Sequence, residues 1–130
     1  MGDPGGATGP EEEPLARLLC DVTALTDAPA SAGVLWKLTE PGRQLDANVV
    51  HLPPGRRVDT HVEPDLDVLL LVVTGDGTVT GPGGDEPLTA GALLWLPRGS
   101  RRALAAGERG LSYVTVHRRR PGMTIRSRAT

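Results

Sequence analysis

Apolar and polar positions alternate along most of the chain, in segments that glycine and proline separate. The alternation begins at Val34 and ends at His117. A period of two is the pattern of β-strands, and Gly and Pro between the segments mark turns. The pattern predicts strands over residues 34–40, 43–52, 56–63, 67–73, 78–81, 92–97, 101–106 and 111–118. Short strands with tight connections predict an all-β sandwich or barrel.

The strand predicted at 67–73 is apolar on both faces. One face belongs in the core, and the other needs cover from a second sheet, an N-terminal helix or another subunit. A homodimer is therefore expected. Gly75-Asp76-Gly77 after this strand predicts a hairpin, and further turns are predicted at 82–86 and 107–110.

The N-terminal region divides into a tail and a helix. Residues 1–13 are rich in Gly, Pro and Glu and predict a disordered tail. Pro14 then precedes Leu15, Leu18, Leu19 and Val22, whose spacing predicts a short helix. We expect a single domain over 14–117 and a basic C-terminal tail over 118–130.

Composition restricts the cellular compartment and the binding partners that we expect for this protein. The chain has 130 residues, a net charge of -2 and one cysteine, Cys20. A lone cysteine, no signal peptide and no long apolar run predict a cytoplasmic protein without a membrane contact. The arginines of the tail are typical of a solvated terminus. Nucleic acid is not an expected partner, because no recognition helix and no interleaved aromatics accompany them.

Two groups of residues resemble the motifs of the cupin superfamily. Gly55, His61, Glu63, Asp67 and Gly75 match the spacing of the first motif, which carries His-x-His, Glu and Gly after its first Gly. Gly91, Pro97, Gly99 and Arg102 match that of the second, in which a His follows the Pro-x-Gly. The resemblance covers about residues 34–117. It implies a small bacterial cupin: a double-stranded β-helix, or jelly-roll barrel, here with a short N-terminal helix.

The chemistry departs from that family's pattern. Metal-binding cupins typically use three histidines and a glutamate, and of these positions only His61 is unchanged. Glu63 replaces a histidine, Asp67 replaces the glutamate, and Arg102 replaces the last histidine. A guanidinium is always protonated and offers no lone pair to a metal.

Two arrangements of these four residues are open. In the favoured one no transition metal is bound, and Arg102 bridges the Glu63 and Asp67 carboxylates in an ion-pair cluster. In the alternative, Arg102 points aside and His61, Glu63 and Asp67 bind Fe, Mn, Ni or Zn with open coordination positions. A slip of one residue in strand register would exchange Arg101 for Arg102 in the interior.

Other side chains could line the same cup. Asn48 and His51 lie on opposite faces of one strand, and we expect Asn48 to point inward. Tyr113, Thr115 and His117 share a face, which is either interior, adding a base or a ligand, or exterior. Trp36 and Trp95 could form a flat wall for a ligand, although core positions are their more typical use.

The expected function is binding of a small ligand in the barrel, for which Arg102 favours an anion. The expected pocket comprises His61, Glu63, Asp67, Arg102, Asn48, Tyr113 and His117, with no cofactor. The alternative is a metal-dependent cupin enzyme of oxygenase or isomerase type. Fold resemblance does not choose between these functions, because one fold hosts many activities.

Overall fold

One helix and seven strands make up the described chain. A computed structural model of the protein describes residues 13–120. The elements are α1 (Val22–Asp27), β1 (Gly33–Lys37), β2 (Leu45–Leu52), β3 (Arg57–Val62), β4 (Val68–Gly81), β5 (Gly84–Thr89), β6 (Leu93–Leu96) and β7 (Arg101–Arg118). The predicted all-β fold is confirmed. The N-terminal tail up to residue 12 and residues 121–130 lie outside the described range.

Two long strands, β4 and β7, connect the two layers of the sandwich, because each contributes one half to each layer. The first half of β4 pairs with β6 and with the second half of β7, which also pairs with β2 and through it with β1. The second half of β4 pairs with β5 and with the first half of β7, which also pairs with β3. All these pairs are antiparallel. The core between the layers joins Leu70 and Val72 of the first layer to Val79, Leu88 and Leu104 of the second.

The predicted hairpin at Gly75-Asp76-Gly77 is wrong, and so is the predicted turn at 107–110. Both segments continue as strand, in β4 and β7. The ladder between these strands shifts its register between Val72 and Thr74 and again between Gly75 and Gly77. The glycines therefore allow the paired strands to bend from one layer into the other, instead of reversing the chain.

Strand β5 was not predicted from the sequence. Its first residues, Gly84-Asp85-Glu86-Pro87, have low strand propensity and were interpreted as part of a turn. Pairing with β4 overrides that preference. As an edge strand, β5 needs only one of its two edges to form hydrogen bonds, which is why a proline is tolerated there.

The N-terminal helix is shorter than predicted and begins later. The Asp21 side chain accepts a hydrogen bond from Ala24 N at 3.2 Å, so the helix begins at Val22. Leu15 and Leu18, predicted to lie on its apolar face, are exposed and outside any helix. A short helix depends on packing of its apolar face, which these residues lack. Within residues 13–120 no helix is long and apolar enough to span a membrane.

Candidate functional site

A bulge in β3 places His61 beside Arg102. Val58 pairs with Leu104 and His61 pairs with Arg102, with a register shift between them. Because Leu104 and Arg102 are two residues apart on β7, Val58 and His61 lie on the same face of the layer. Strict alternation along the strand predicted at 56–63 would place them on opposite faces, and the extra residue of the bulge prevents this.

Arg102 is the buried member of the Arg101–Arg102 pair. Its residue is 7% exposed, whereas Arg101 is exposed. The Arg102 Nη1 donates to the Ser100 carbonyl at 3.4 Å and to Ser100 Oγ at 3.2 Å. No carboxylate of residues 13–120 forms an ion pair with it. Burial lowers the pKa of the guanidinium, and the charge of Glu63 acts against that shift.

Arg102 lines a pocket of about 330 Å³ between the β4–β5 hairpin and β6. The polar part of the lining comes from Thr80, Asp85, Glu86, Ser100, Arg101 and Arg102. The apolar part is formed chiefly by Val79, Leu94, Trp95, Leu96 and Pro97. Trp95 is 57% exposed, so its prediction as a core residue is wrong and it forms an outer wall instead.

Arg102 does not bridge Glu63 and Asp67 as the sequence predicted. Glu63 forms an ion pair with Arg120, and its Oε2 accepts from Asp65 N at 2.9 Å. These two hydrogen bonds, the one from Arg120 first, hold the pKa of Glu63 below its usual value.

Asp67 is engaged separately. Its Oδ1 accepts from Arg98 N at 2.9 Å and its Oδ2 accepts from Arg98 Nη1 at 3.0 Å. The expected four-residue cluster is therefore replaced by two independent ion pairs, because two nearer arginines outcompete Arg102 for the carboxylates.

The residues at the cupin ligand positions do not fit a transition metal. No group of three or more His, Cys, Asp and Glu side chains in residues 13–120 is arranged to hold one. His61 is exposed, with Nδ1 3.1 Å from the Asp59 carbonyl. The alternative ligand set of His61, Glu63 and Asp67 is thus not brought together. A buried guanidinium at the fourth position adds a positive charge where a cation would be held.

Asn48, Tyr113 and His117 lie on the inner face of the first layer. Asn48 pairs with Thr115, which pairs with the buried Leu70, and cross-strand partners share a face. Burial raises the pKa of Tyr113 to about 12, so its phenol stays protonated at neutral pH. His51 lies on the outer face, where its Nδ1 is 2.8 Å from Ser112 Oγ.

Arg102 alone of the seven predicted pocket residues lines the pocket described above. His61 is its neighbour on β3, and the others lie elsewhere on the inner face or in surface ion pairs. Sequence reasoning missed Ser100, Thr80 and Glu86. Ser100 was detectable as a hydroxyl beside the candidate arginine, whereas Thr80 and Glu86 needed knowledge of strand β5.

The chain is similar in fold to several solved structures. One is the cupin domain of Cnp3 from Schizosaccharomyces pombe, with a TM-score of 0.58, 16% identity, and coverage of 65% of this chain and 59% of that chain. Another is an uncharacterized protein with a double-stranded β-helix domain from Klebsiella pneumoniae, with a TM-score of 0.64, 19% identity, and coverage of 79% and 90%.

A third is a sugar phosphate isomerase of the cupin superfamily from Silicibacter pomeroyi, with a TM-score of 0.55, 20% identity, and coverage of 61% and 53%. This chain therefore spans less than two thirds of the first and third of these structures. No family model and no curated protein sequence matches the chain. Similarity at these identities establishes architecture alone. The chain has the cupin fold, a double-stranded β-helix, as the resemblance of its two motifs implied.

Proposed function

We propose that this protein is a cupin-fold binding module for a small anionic ligand, which Arg102 holds without a transition metal. The observation that carries the proposal is Arg102, a buried residue that lines a pocket and forms no ion pair with a carboxylate among residues 13–120. A cytoplasmic location and a homodimeric state belong to the same proposal.

The energetics of a buried charge support an anion at this position. Removing a guanidinium from water is costly unless a countercharge and hydrogen bonds replace the lost solvent. Ser100 supplies a carbonyl and a hydroxyl oxygen, neither of which is charged. A carboxylate or phosphate would supply the missing charge through paired hydrogen bonds with the guanidinium. The ligand would thereby offset a desolvation cost that the free protein already carries.

The comparison with the Silicibacter pomeroyi protein is compatible with this proposal. That protein is a sugar phosphate isomerase, and a sugar phosphate carries an anionic group. A metal-dependent reaction has less support, because Glu63 and Asp67 are each held by an arginine.

The proposal is tested by measuring thermal stabilisation and calorimetric binding with phosphate, sulfate, small carboxylates and sugar phosphates. We expect Arg102→Gln to weaken binding of the responding anion by roughly 10- to 100-fold, the effect of losing a charged hydrogen-bond partner. Arg57→Gln is the matched control, because Arg57 is an exposed arginine of β3 outside the pocket.

The same variant separates a binding role from a structural role. A ligand-binding arginine is destabilising in the free protein, so Arg102→Gln is expected to unfold at the same or a higher temperature without ligand. A marked loss of stability in the free variant, or anion binding equal to that of wild type, would contradict the proposal. So would the absence of any stabilising anion.

A further inference from the structure

The pocket around Arg102 has acidic as well as basic groups in its lining. Arg101 and Arg102 contribute two positive charges, and Asp85 and Glu86 contribute two negative charges. We propose that the ligand is a small zwitterion of the amino-acid class, whose carboxylate binds Arg102 and whose ammonium group binds Glu86. This inference rests on the proposed function, because it assigns the anionic end of the ligand to Arg102.

Arg102 and Glu86 start from the same face of the second layer. Glu86 pairs with Val79, and Val79 pairs with Leu104, so these three side chains share the inner face. Arg102 precedes Leu104 by two residues on β7 and therefore also lies on that face. The residue Arg102 is 7% exposed, whereas Glu86 is exposed at the rim. The pocket thus has a deep cationic end and an outer anionic end.

The strand spacing suits a molecule with two charges. β7 and β5 flank β4, and with an offset of one inner-face row the Cα atoms of Arg102 and Glu86 are about 12 Å apart. The Arg102 guanidinium donates to Ser100, and it does not form an ion pair with Glu86. The interval between the two charged residues is therefore left to the ligand, and a zwitterion of suitable length can bridge it.

Glycines leave the floor between the two charges open. Gly81 follows Thr80, the partner of Ala103 on β7, and Gly81 itself pairs with Gly84 on β5. Neither glycine projects a side chain into the row that contains Arg102. A Cβ placed on Gly84 would meet no atom within 4 Å. The backbone of the β4–β5 hairpin therefore forms a flat surface on which a small molecule can lie.

The remaining lining favours a cation over a second anion at the rim. Asp85 Oδ1 accepts from Thr80 Oγ1 at 2.7 Å, on the opposite face of β5 from Glu86. Glu86 forms no ion pair with any described residue. A dianion would meet repulsion from the Glu86 carboxylate. A volume of about 330 Å³ is at the small end for ligand pockets.

The test compares ligands that share a carbon skeleton and differ in the ammonium group. Calorimetry of the purified full chain would compare the affinity for propionate with that for β-alanine, and the affinity for butyrate with that for 4-aminobutanoate. Glycine and 5-aminopentanoate, which differ in the distance between their charges, would then show which charge separation the pocket prefers. We expect the best zwitterion to bind at least about tenfold more tightly than its carboxylate counterpart. Glu86→Gln is expected to remove that advantage and leave carboxylate binding in place. Glu108→Gln, an exposed residue outside the pocket, is the control.

Each outcome separates this inference from the proposed function. Equal binding of carboxylate and zwitterion, or an advantage that survives Glu86→Gln, overturns the zwitterion while the anion site stands. Binding of phosphates alone has the same meaning. If neither carboxylates nor zwitterions nor phosphates bind, or if Arg102→Gln leaves their affinity unchanged, the anion site itself is wrong and the inference falls with it.

Discussion

Gly75 of β4 lies against the backbone of Gly110 in β7. It has a φ of +89°, and a Cβ built on it would lie 2.1 Å from the carbonyl oxygen of Gly110. Because that oxygen belongs to the backbone, Gly75→Ala must displace a strand and also adopt a strained conformation. We predict a loss of at least about 3 kcal/mol in the free energy of unfolding, measured in urea.

Gly83→Ala is the control for this prediction. Gly83 lies in the turn between β4 and β5, and an added Cβ there would meet nothing within 4 Å. We expect a change within about 0.5 kcal/mol. Similar losses in the two variants would mean that the glycine contact does not hold the strands together.

Single residues also show which features a sequence can reveal. Gly75 was recognised as a special backbone position, but Gly-Asp-Gly has the same local pattern in a hairpin and in a bend. The choice depends on Gly110, which the fold brings opposite from a distant part of the chain. Arg102, which the cupin spacing favours over Arg101 for the interior, is the buried one of the two. Its isolation from Glu63 depends on Arg120, which no local pattern connects to that glutamate.

At the scale of elements, the residues at the end of β7 form hydrogen bonds with the start of β2 and an ion pair with the segment after β3. Arg119 N donates to the Gln44 carbonyl at 2.8 Å, and Arg120 N lies 3.4 Å from Asp46 Oδ2. The Arg120 side chain pairs with Glu63. Ordered contacts therefore extend past residue 117, the predicted end of the domain. The sequence could not indicate this, because an arginine run looks alike in a solvated tail and in ion pairs.

The ion pair between Glu63 and Arg120 predicts that the stability of the fold depends on pH. The folded-state pKa of Glu63 lies below its value in the unfolded chain, so its ionised form stabilises the fold above that value of about 4.5. The stabilisation is lost as the pH falls from there through the lowered pKa. We predict that Glu63→Gln reduces the stability difference between pH 7 and pH 3, measured by urea unfolding at each pH. The effect is at most about 1 kcal/mol, since Arg120 is more than half exposed.

Arg120→Gln tests the same contact from the other side and should reduce the pH dependence similarly. Asp59→Asn is the control, because Asp59 is an exposed carboxylate of β3 without an ion pair among residues 13–120. An unchanged acid dependence in both Glu63→Gln and Arg120→Gln would show that the ion pair is absent in solution.

At the scale of the whole molecule, the fold can be predicted from the sequence further than the arrangement of charged residues at the site. The resemblance to the cupin motifs implied the fold, and their glycines and prolines are kept because turns and bends impose local backbone requirements that few residues meet. The site depends on which arginine reaches which carboxylate across layers, and three such arginines compete here. Competition between residues far apart in the chain leaves no periodic pattern and no motif in the sequence. The sequence therefore predicted which charged residues take part, but not which arginine pairs with which carboxylate.

The outer face of the first layer carries the last prediction. Four apolar side chains lie there as two cross-strand pairs, Leu69 with Trp95 and Leu71 with Leu93, and each is more than 40% exposed. A contiguous apolar patch on a sheet favours burial against a partner, and the same face on a second copy supplies one of matching character. We predict a homodimer through this face, which Leu93→Glu converts to a monomer in sedimentation velocity runs over a concentration series.

Val62→Glu places the same charge on an exposed apolar position of β3 in the other layer and should leave the dimer intact. Both variants should match wild type in circular dichroism, since each substituted side chain is about half exposed or more. A wild-type protein that sediments as a monomer at high concentration would contradict the prediction, as would a Leu93→Glu variant that remains dimeric.

Because Trp95 belongs both to this face and to the wall of the Arg102 pocket, dimer formation would also bring the partner close to the ligand. Ligand affinity that rises with protein concentration in wild type, but not in Leu93→Glu, would be the signature of that coupling.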